Sequence, residues 1–415
     1  DLPYAIYPNP EEHCYSGSTL VEDDRVIAMY FGTKKGNMVA ISDDPLLLNW
    51  EKLTGKAVIP ITESNVTESR PYWVYDPCIW KKGDSYYSLS GVHLREGPAN
   101  KHIRINFLFK SRDLKNWKYL HPFVEDDRFT MVGDDGACPY FWPIGDKHIL
   151  LFFSHMSGGQ YLIGDYDKKR DKFIATSNGT FNYGPSAPCG VHAPSACPDG
   201  KGGVITIFNM NAGRRSKGWN QIMTLPMRLT LADNEQLKIE PAGKTEVLRY
   251  NHQHLDEFTL PANNEIVLRN IRGDAKEIIV EINAKNTPMI EMNVLRSPDK
   301  QEYTRILFFR NRGHWNGQLK KMESLVSIDT SRSSLLSDLR NRPAETAPVI
   351  LDEDENLKLR IFIDKSVVEI FVNEKKYLAT RVYPSLKESL GISFMARGED
   401  SVIKSFDAWD MKSIW

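Results

Sequence analysis

Short apolar runs of strand length punctuate the chain, among them Val26-Ile27-Ala28-Met29-Tyr30-Phe31, Tyr86-Tyr87-Ser88-Leu89, His148-Ile149-Leu150-Leu151-Phe152-Phe153 and Val204-Ile205-Thr206-Ile207-Phe208. Gly, Asp, Asn and Pro separate them at close intervals, and a helical 3.6 period sustained over about a dozen residues is hard to find. The pattern predicts an all-β protein. An internal repeat sharpens it: Ser42-Asp43-Asp44-Pro45-Leu46-Leu47-Leu48-Asn49-Trp50 returns as Ser111-Arg112-Asp113-Leu114-Lys115-Asn116-Trp117. Several short strands in a repeat of roughly 50 residues are what a propeller blade requires. The strand clusters group into four blade-like units, at about 16–55, 74–121, 138–176 and 190–231, and matching register predicts Trp50 and Trp117 at equivalent scaffold positions.

After Leu231 the texture changes. Past Pro241-Ala242-Gly243 come strands such as Glu277-Ile278-Ile279-Val280-Glu281-Ile282 and Lys358-Leu359-Arg360-Ile361-Phe362-Ile363, whose period-two alternation suits a β-sandwich. The expected division is a propeller domain at 1–244 and a sandwich domain at 245–415. The acidic stretch Leu351–Asn356 reads as a solvated turn between two sandwich strands.

Composition narrows the functional classes. The 415 residues carry 53 Lys plus Arg against 54 Asp plus Glu, a formal net charge of -1, so no basic field exists to attract a phosphate backbone and nucleic acid is not expected as a partner. No apolar run approaches the roughly 18 residues of a membrane span. Five cysteines at irregular spacing fit no zinc pattern and read as mostly buried thiols; a Cys189–Cys197 bridge is open only in an oxidising compartment, and no spacing rule demands it. The sequons at Asn65 and Asn178 do not fix a compartment, and no signal peptide is visible before Asp1-Leu2-Pro3-Tyr4.

Three segments hold candidate chemistry, each with a plain alternative. Cys14-Tyr15-Ser16-Gly17-Ser18-Thr19 offers small residues that let a ligand approach backbone, or a simple turn at a strand start. Val74-Tyr75-Asp76-Pro77-Cys78 sets an acid before proline among aromatics, as a turn former or as a sugar-pocket carboxylate. Gly133-Asp134-Asp135-Gly136-Ala137-Cys138-Pro139-Tyr140 puts two acids beside an aromatic strand. Because blade strands start around a central channel, residues at equivalent places in successive blades converge on one pocket.

The order Tyr-Ser-Gly-Ser, Tyr-Asp-Pro, Ala-Cys-Pro and then Gly218-Trp219-Asn220-Gln221-Ile222-Met223-Thr224-Leu225-Pro226 resembles glycoside hydrolase family 32, the invertases, inulinases and levanases. Ile363-Asp364-Lys365-Ser366-Val367-Val368-Glu369-Ile370-Phe371-Val372-Asn373 is similar to that family's carboxyl-terminal module. The resemblance implies a five-bladed β-propeller followed by a β-sandwich. It implies action on β-fructosides or a related furanoside, without metal or organic cofactor, by an Asp nucleophile, a Glu acid/base and a transition-state-stabilising Asp.

The resemblance also sets expectations where the chain departs from the family. Asp76 matches the stabilising acid, Ala137 stands at the acid/base position, and Tyr75 replaces the usual Arg. Tyr15 and Ser16 match the pair lining the fructosyl site, Trp219 an aromatic wall, and Cys138 the cysteine after the acid. The Trp-Met-Asn-Asp-Pro-Asn-Gly segment that bears the nucleophile has no counterpart, so the chain looks like a member without its first blade. Asp135, with its neighbour Asp134, and His192 are the replacement acids on offer, their alternatives being a solvated turn and a hydrogen-bonded rim histidine. The expected partner is a disaccharide or oligosaccharide, met in a secreted or periplasmic setting, and the second reading is a catalytically silent sugar-binding protein.

Overall fold

The computed structural model describes residues 3–61, 74–94, 97–232, 235–317 and 319–414, and among these the regular secondary structure is β-strand apart from two short 3-10 turns, Pro98–Asn100 and Thr245–Leu248. By internal contacts it forms two compact units, Asp1–Thr180 with Ala193–Val204, and Phe181–His192 with Ile205–Trp415. Among the described residues no helix is long and apolar enough to cross a membrane. The Asn65 sequon lies outside the described residues, while Asn178 lies in the strand Lys172–Thr180.

The first unit holds three antiparallel sheets of the up-and-down kind that make propeller blades. The first runs Cys14–Val21, Val26–Gly32, Gly36–Ser42, Glu51–Lys52, with Ile59–Pro60 added against Gly36–Ser42. Tyr75–Lys82, Ser85–Leu94, Ile103–Ser111 and Lys118–Pro122 make the second. The third is Ala137–Ile144, Lys147–Ser154, Gly158–Asp167 and Lys172–Thr180.

These strands pack on both faces, which is why they read as apolar runs more than as alternation. Ile27, Met29 and Val39 meet Ile79, Phe107 and Phe109 between the first and second sheets. Between the second and third, Leu89 and Leu108 meet Leu150, Phe152 and Phe173. Trp80 joins that layer, stacked on Tyr87 at 5.8 Å and tilted on Phe141 at 5.7 Å.

The internal repeat is a repeated turn. Asp44 accepts the amides of Leu46, Leu48 and Asn49, and Asp113 those of Lys115 and Asn116. Each turn closes with an indole donating to a carbonyl three residues back, Trp50 to Leu47 and Trp117 to Leu114, both at 2.8 Å. The two tryptophans occupy equivalent positions and pack against the cores of their sheets, as their register predicts.

A further five-stranded sheet contributes Met227–Leu231 and Leu237–Pro241 to the second unit. The sandwich that follows has a seven-stranded sheet, ordered Arg249–Leu255, Ser401–Met411, Ala275–Asn283, Leu357–Asp364, Val367–Val372, Lys376–Arg381, with Phe258–Leu260 added on Ser401–Met411. Its six-stranded partner is ordered Glu265–Arg272, Gly391–Arg397, Met289–Arg296, Thr304–Phe309, Ser324–Asp329, Glu345–Val349. Ile278, Val280, Ile282, Ile361 and Phe406 on one sheet face Ile290, Met292, Ile306, Val326 and Phe394 on the other. The acidic stretch does form the connection between Glu345–Val349 and Leu357–Asp364.

The cysteines are mostly buried thiols, as the sequence suggests. All five are free thiols, and Cys14 and Cys197 are exposed while Cys78, Cys138 and Cys189 are buried. No Cys189–Cys197 bridge forms, since one thiol faces the interior and the other solvent.

Candidate functional site

The first strands of the three sheets in the first unit lie against one another, and each carries a β-bulge near its start: between Cys14 and Gly17, Tyr75 and Cys78, and Ala137 and Tyr140. Inside two of the bulges sits a residue with left-handed backbone, Asp76 at φ 46° and Cys138 at φ 47°, each followed by proline. Ala193, before Pro194, repeats the conformation at φ 47°. A non-glycine residue held there costs about 1–3 kcal/mol, and such strain gathers where side chains must be aimed. Gly17 closes the first bulge where Cys78 and Tyr140 close the other two; a Cβ on it would lie 2.1 Å from the Met29 carbonyl oxygen, so nothing larger fits.

The bulges converge. Asp76 Oδ2 accepts the Cys138 amide at 3.2 Å and the Cys138 thiol at 3.4 Å. Ser16 is a further hydrogen-bond partner of that thiol. Tyr140 donates its hydroxyl to the Gly17 carbonyl at 2.8 Å, joining the first and third sheets. Tyr75 donates to the Asp135 carbonyl at 2.5 Å, and its ring continues through Phe31 to Tyr15, each step 6.4 Å edge to face. Tyr15, Ser16, Tyr75, Asp76, Asp135, Ala137 and Cys138 thus occupy one neighbourhood, with Tyr15 and Ser16 exposed and Asp76 half-buried.

Burial sets the electrostatics. It raises the Asp76 carboxyl above its usual range, against the opposing pull of the two Cys138 hydrogen bonds. Burial also raises the Tyr75 phenol and the Cys138 thiol well above their ordinary values, so both stay protonated donors. The charges of His155 and Asp135 both reach Asp76, one lowering and the other raising it.

The replacement acids sort differently from expectation. Asp134 is not in a solvated turn: it is buried and accepts Ser157 and Gln160 at 3.1 Å and the Met131 amide at 3.0 Å, which makes it a loop anchor. Asp135 spends its carboxylate on His155, 2.5 Å from Nδ1. That contact, the largest influence on the ring, raises the His155 imidazole above its ordinary value. Ala137 is fully buried, pairs across the sheet with Phe153, and packs with Cys138, Tyr75 and Ala193. His155 stands two residues beyond Phe153, its ring 4.8 Å from that phenyl, and its side chain is 73% exposed.

His155 is the residue the sequence did not announce, because a lone histidine after a strand carries no motif. Arg104 is another. It is buried, paired through Nε with Asp127 at 3.1 Å, set 4.1 Å over the Phe152 ring, and packed against Gly136, with no partner for Nη1 among the described residues.

His192 and Trp219 belong to the second unit. His192 is half-buried at the start of Val191–Pro198. Trp219 is exposed, with the Arg381 guanidinium 5.4 Å over its ring. Beside it, Arg214, Arg215, Asn220, Asp338 and Arg340 line an open cavity of about 480 Å³ in which Arg214 pairs with Asp338 at 2.7 Å. Around Asp76, no group of three side chains among the described residues is placed to hold a metal.

Antiparallel blades whose bulged first strands aim an acid, a thiol and tyrosines at one place, followed by a two-sheet sandwich, define a propeller glycosidase. The profile of the glycosyl hydrolases family 32 N-terminal domain matches residues 1–241, and that of the family's C-terminal domain residues 244–410. The chain belongs to glycosyl hydrolase family 32. It is 24% identical to a sucrose-6-phosphate hydrolase of Zymomonas mobilis, covering 99% of this chain and 81% of that one. With a levanase of Bacillus subtilis it shares 23% identity over 100% of this chain and 62% of the levanase. The fold is that of fructan 1-exohydrolase IIa from Cichorium intybus, with a TM-score of 0.80 at 20% identity over 99% of this chain and 87% of the other.

Proposed function

We propose that this chain binds and cleaves β-fructosides of the sucrose, levan or inulin type. The fructosyl unit sits at Tyr15, Ser16, Tyr75, Asp76 and Cys138, and His155, held by Asp135, donates the proton for which other members use a glutamate. The observation that carries this reading is the His155–Asp135 pair at 2.5 Å, within electrostatic reach of Asp76 and against Phe153, the cross-strand partner of Ala137. The family and the named relatives support a fructosyl substrate.

The chemistry follows from the groups. As the bond from the anomeric carbon to the departing oxygen breaks, its electron pair goes to that oxygen, and the imidazolium supplies the proton. Asp76 faces the positive charge developing on the sugar, and water completes the exchange, returning a proton to the imidazole. A second reading, sugar binding without turnover, is favoured by Ala137 itself, which has no proton to give.

Fructose release from sucrose, levan and inulin, with arabinan for comparison, is measured beside calorimetric titration of the same sugars. The reading expects release that is lost in both Asp76→Asn and His155→Ala, with binding kept in His155→Ala. Binding without release establishes the second reading. Release undiminished in His155→Ala overturns the histidine's role, and release from arabinan alone overturns the substrate class.

A further inference from the structure

The edge strand of the seven-stranded sandwich sheet, Arg249–Leu255, presents His252 and His254 two residues apart, and therefore on one face. Its neighbour Ser401–Met411 sets Asp407 directly opposite His254, and Trp409 two residues further along the same face. A bulge between Tyr250 and Gln253, with Asn251 at φ 50°, swings His252 toward that neighbour. His252 Nε2 lies 2.7 Å and His254 Nδ1 2.8 Å from the same oxygen, Asp407 Oδ1. The three ligating atoms all fall within 4.8 Å of one another.

We propose that His252, His254 and Asp407 form a binding site for a zinc-class divalent cation, which clips the edge strand to the sheet. Two imidazole nitrogens and one carboxylate oxygen are the donor set of zinc and its neighbours Co²⁺, Ni²⁺ and Cu²⁺, whereas Mg²⁺ and Ca²⁺ prefer oxygen alone. Tetrahedral zinc with ligands at about 2.0–2.1 Å places its donors roughly 3.3 Å apart, so small side-chain rotations convert the hydrogen-bonded triad into a ligand set.

The surroundings support a built site. The second nitrogen of His254, Nε2, lies 3.4 Å from Asp256 Oδ1, the carboxylate–histidine arrangement that orients metal-bound imidazoles. The His252 ring lies parallel to the Trp409 indole, centroids 4.7 Å apart and planes within 5°, which fixes its orientation. Trp409 is itself held under the Arg249 guanidinium, which is paired with the buried Glu277. Both histidines are about half exposed, leaving the remaining coordination position to water.

The test uses the full chain, stripped with a chelator and titrated with zinc chloride in a calorimeter. One zinc per chain with a raised Tm is expected, since a ligand that prefers the folded state stabilises it by mass action. Co²⁺ should give the visible d–d absorption of a low-symmetry nitrogen and oxygen site. His252→Ala with His254→Ala should abolish both signals, and Asp256→Asn should weaken affinity about 10–100-fold. Circular dichroism of each variant before metal is added establishes that it folds. Absence of zinc binding by the parent protein overturns the site. So does binding that survives intact in the double variant, which would place the cation elsewhere, at thiols for example.

Discussion

Asp76 is held between opposing influences, and the balance decides what it does. Burial favours its neutral form, while the Cys138 amide and thiol favour the carboxylate that its proposed role requires. Its motif made it legible from the sequence, since acid, proline and strand coincide there. The proposed proton donor was not legible, because Asp135 and His155 lie 20 residues apart and meet only when two strands of the third sheet pair. The His155 imidazole is raised by Asp135, so it stays protonated above its ordinary range, and activity that needs the imidazolium should fall as pH rises through the raised value. Asp135→Asn removes the cause and should move that fall to lower pH; a pH profile of fructose release checks it, and an unmoved limb rejects the pairing as functional. Ala137→Glu tests the same place from the other side. General acid assistance is typically worth about 10²–10⁴-fold, so the change should restore turnover on sucrose when made in the His155→Ala variant. Ala137 is fully buried, so the larger side chain overpacks its site at a cost of about 1–3 kcal/mol, read as a lower Tm.

At the scale of elements, the repeated bulge links sequence to site. A strand that carried no extra residue would alternate its side chains and could not turn both members of Tyr75-Asp76 or Ala137-Cys138 out of the ladder. Periodicity located these strands, and the internal repeat located their turns, because both arise from local hydrogen bonding and burial. Two of the bulges left only a trace, a proline after the left-handed residue, at Pro77 and Pro139. The Asp134 anchor was hidden for the same reason: Ser157 and Gln160, its partners, arrive from the next hairpin. Tyr140 tests the convergence of the strands. Tyr140→Phe leaves the Gly17 carbonyl without its donor and should destabilise the protein by about 0.5–1.5 kcal/mol, measured by urea unfolding. A variant as stable as the parent would mean that the two strands are held together without this bond.

Across the whole molecule, cohesion follows contacts that sequence texture did not show. A change from buried runs to alternation is visible near residue 245, yet by contacts residues 181–192 and 205–241 group with the sandwich. The joins are polar and distant in sequence: the Ile239 amide donates to the Glu374 carbonyl at 2.8 Å, and the Tyr383 hydroxyl accepts the Gly213 amide at 2.9 Å. Glu369 is the most consequential of them. Buried on the strand Val367–Val372, it accepts the Leu225 amide at 2.9 Å and the Tyr377 hydroxyl at 2.5 Å, tethering the segment that follows Trp219. Burial, outweighing those two hydrogen bonds, pushes its carboxyl up to about 7. A carboxyl raised in the folded state binds its proton more tightly there than in the unfolded chain. Its contribution is therefore complete below the unfolded value near 4.5 and is lost as pH climbs through about 7. The span corresponds to a stability change on the order of 3 kcal/mol from this one group. Glu369→Gln keeps an acceptor for the Leu225 amide and cannot ionise, so calorimetric scans at pH 5 and pH 8 should show a smaller drop in Tm for the variant than for the parent. Equal drops in the two proteins would place the pH dependence in other groups and leave Glu369 ionised throughout.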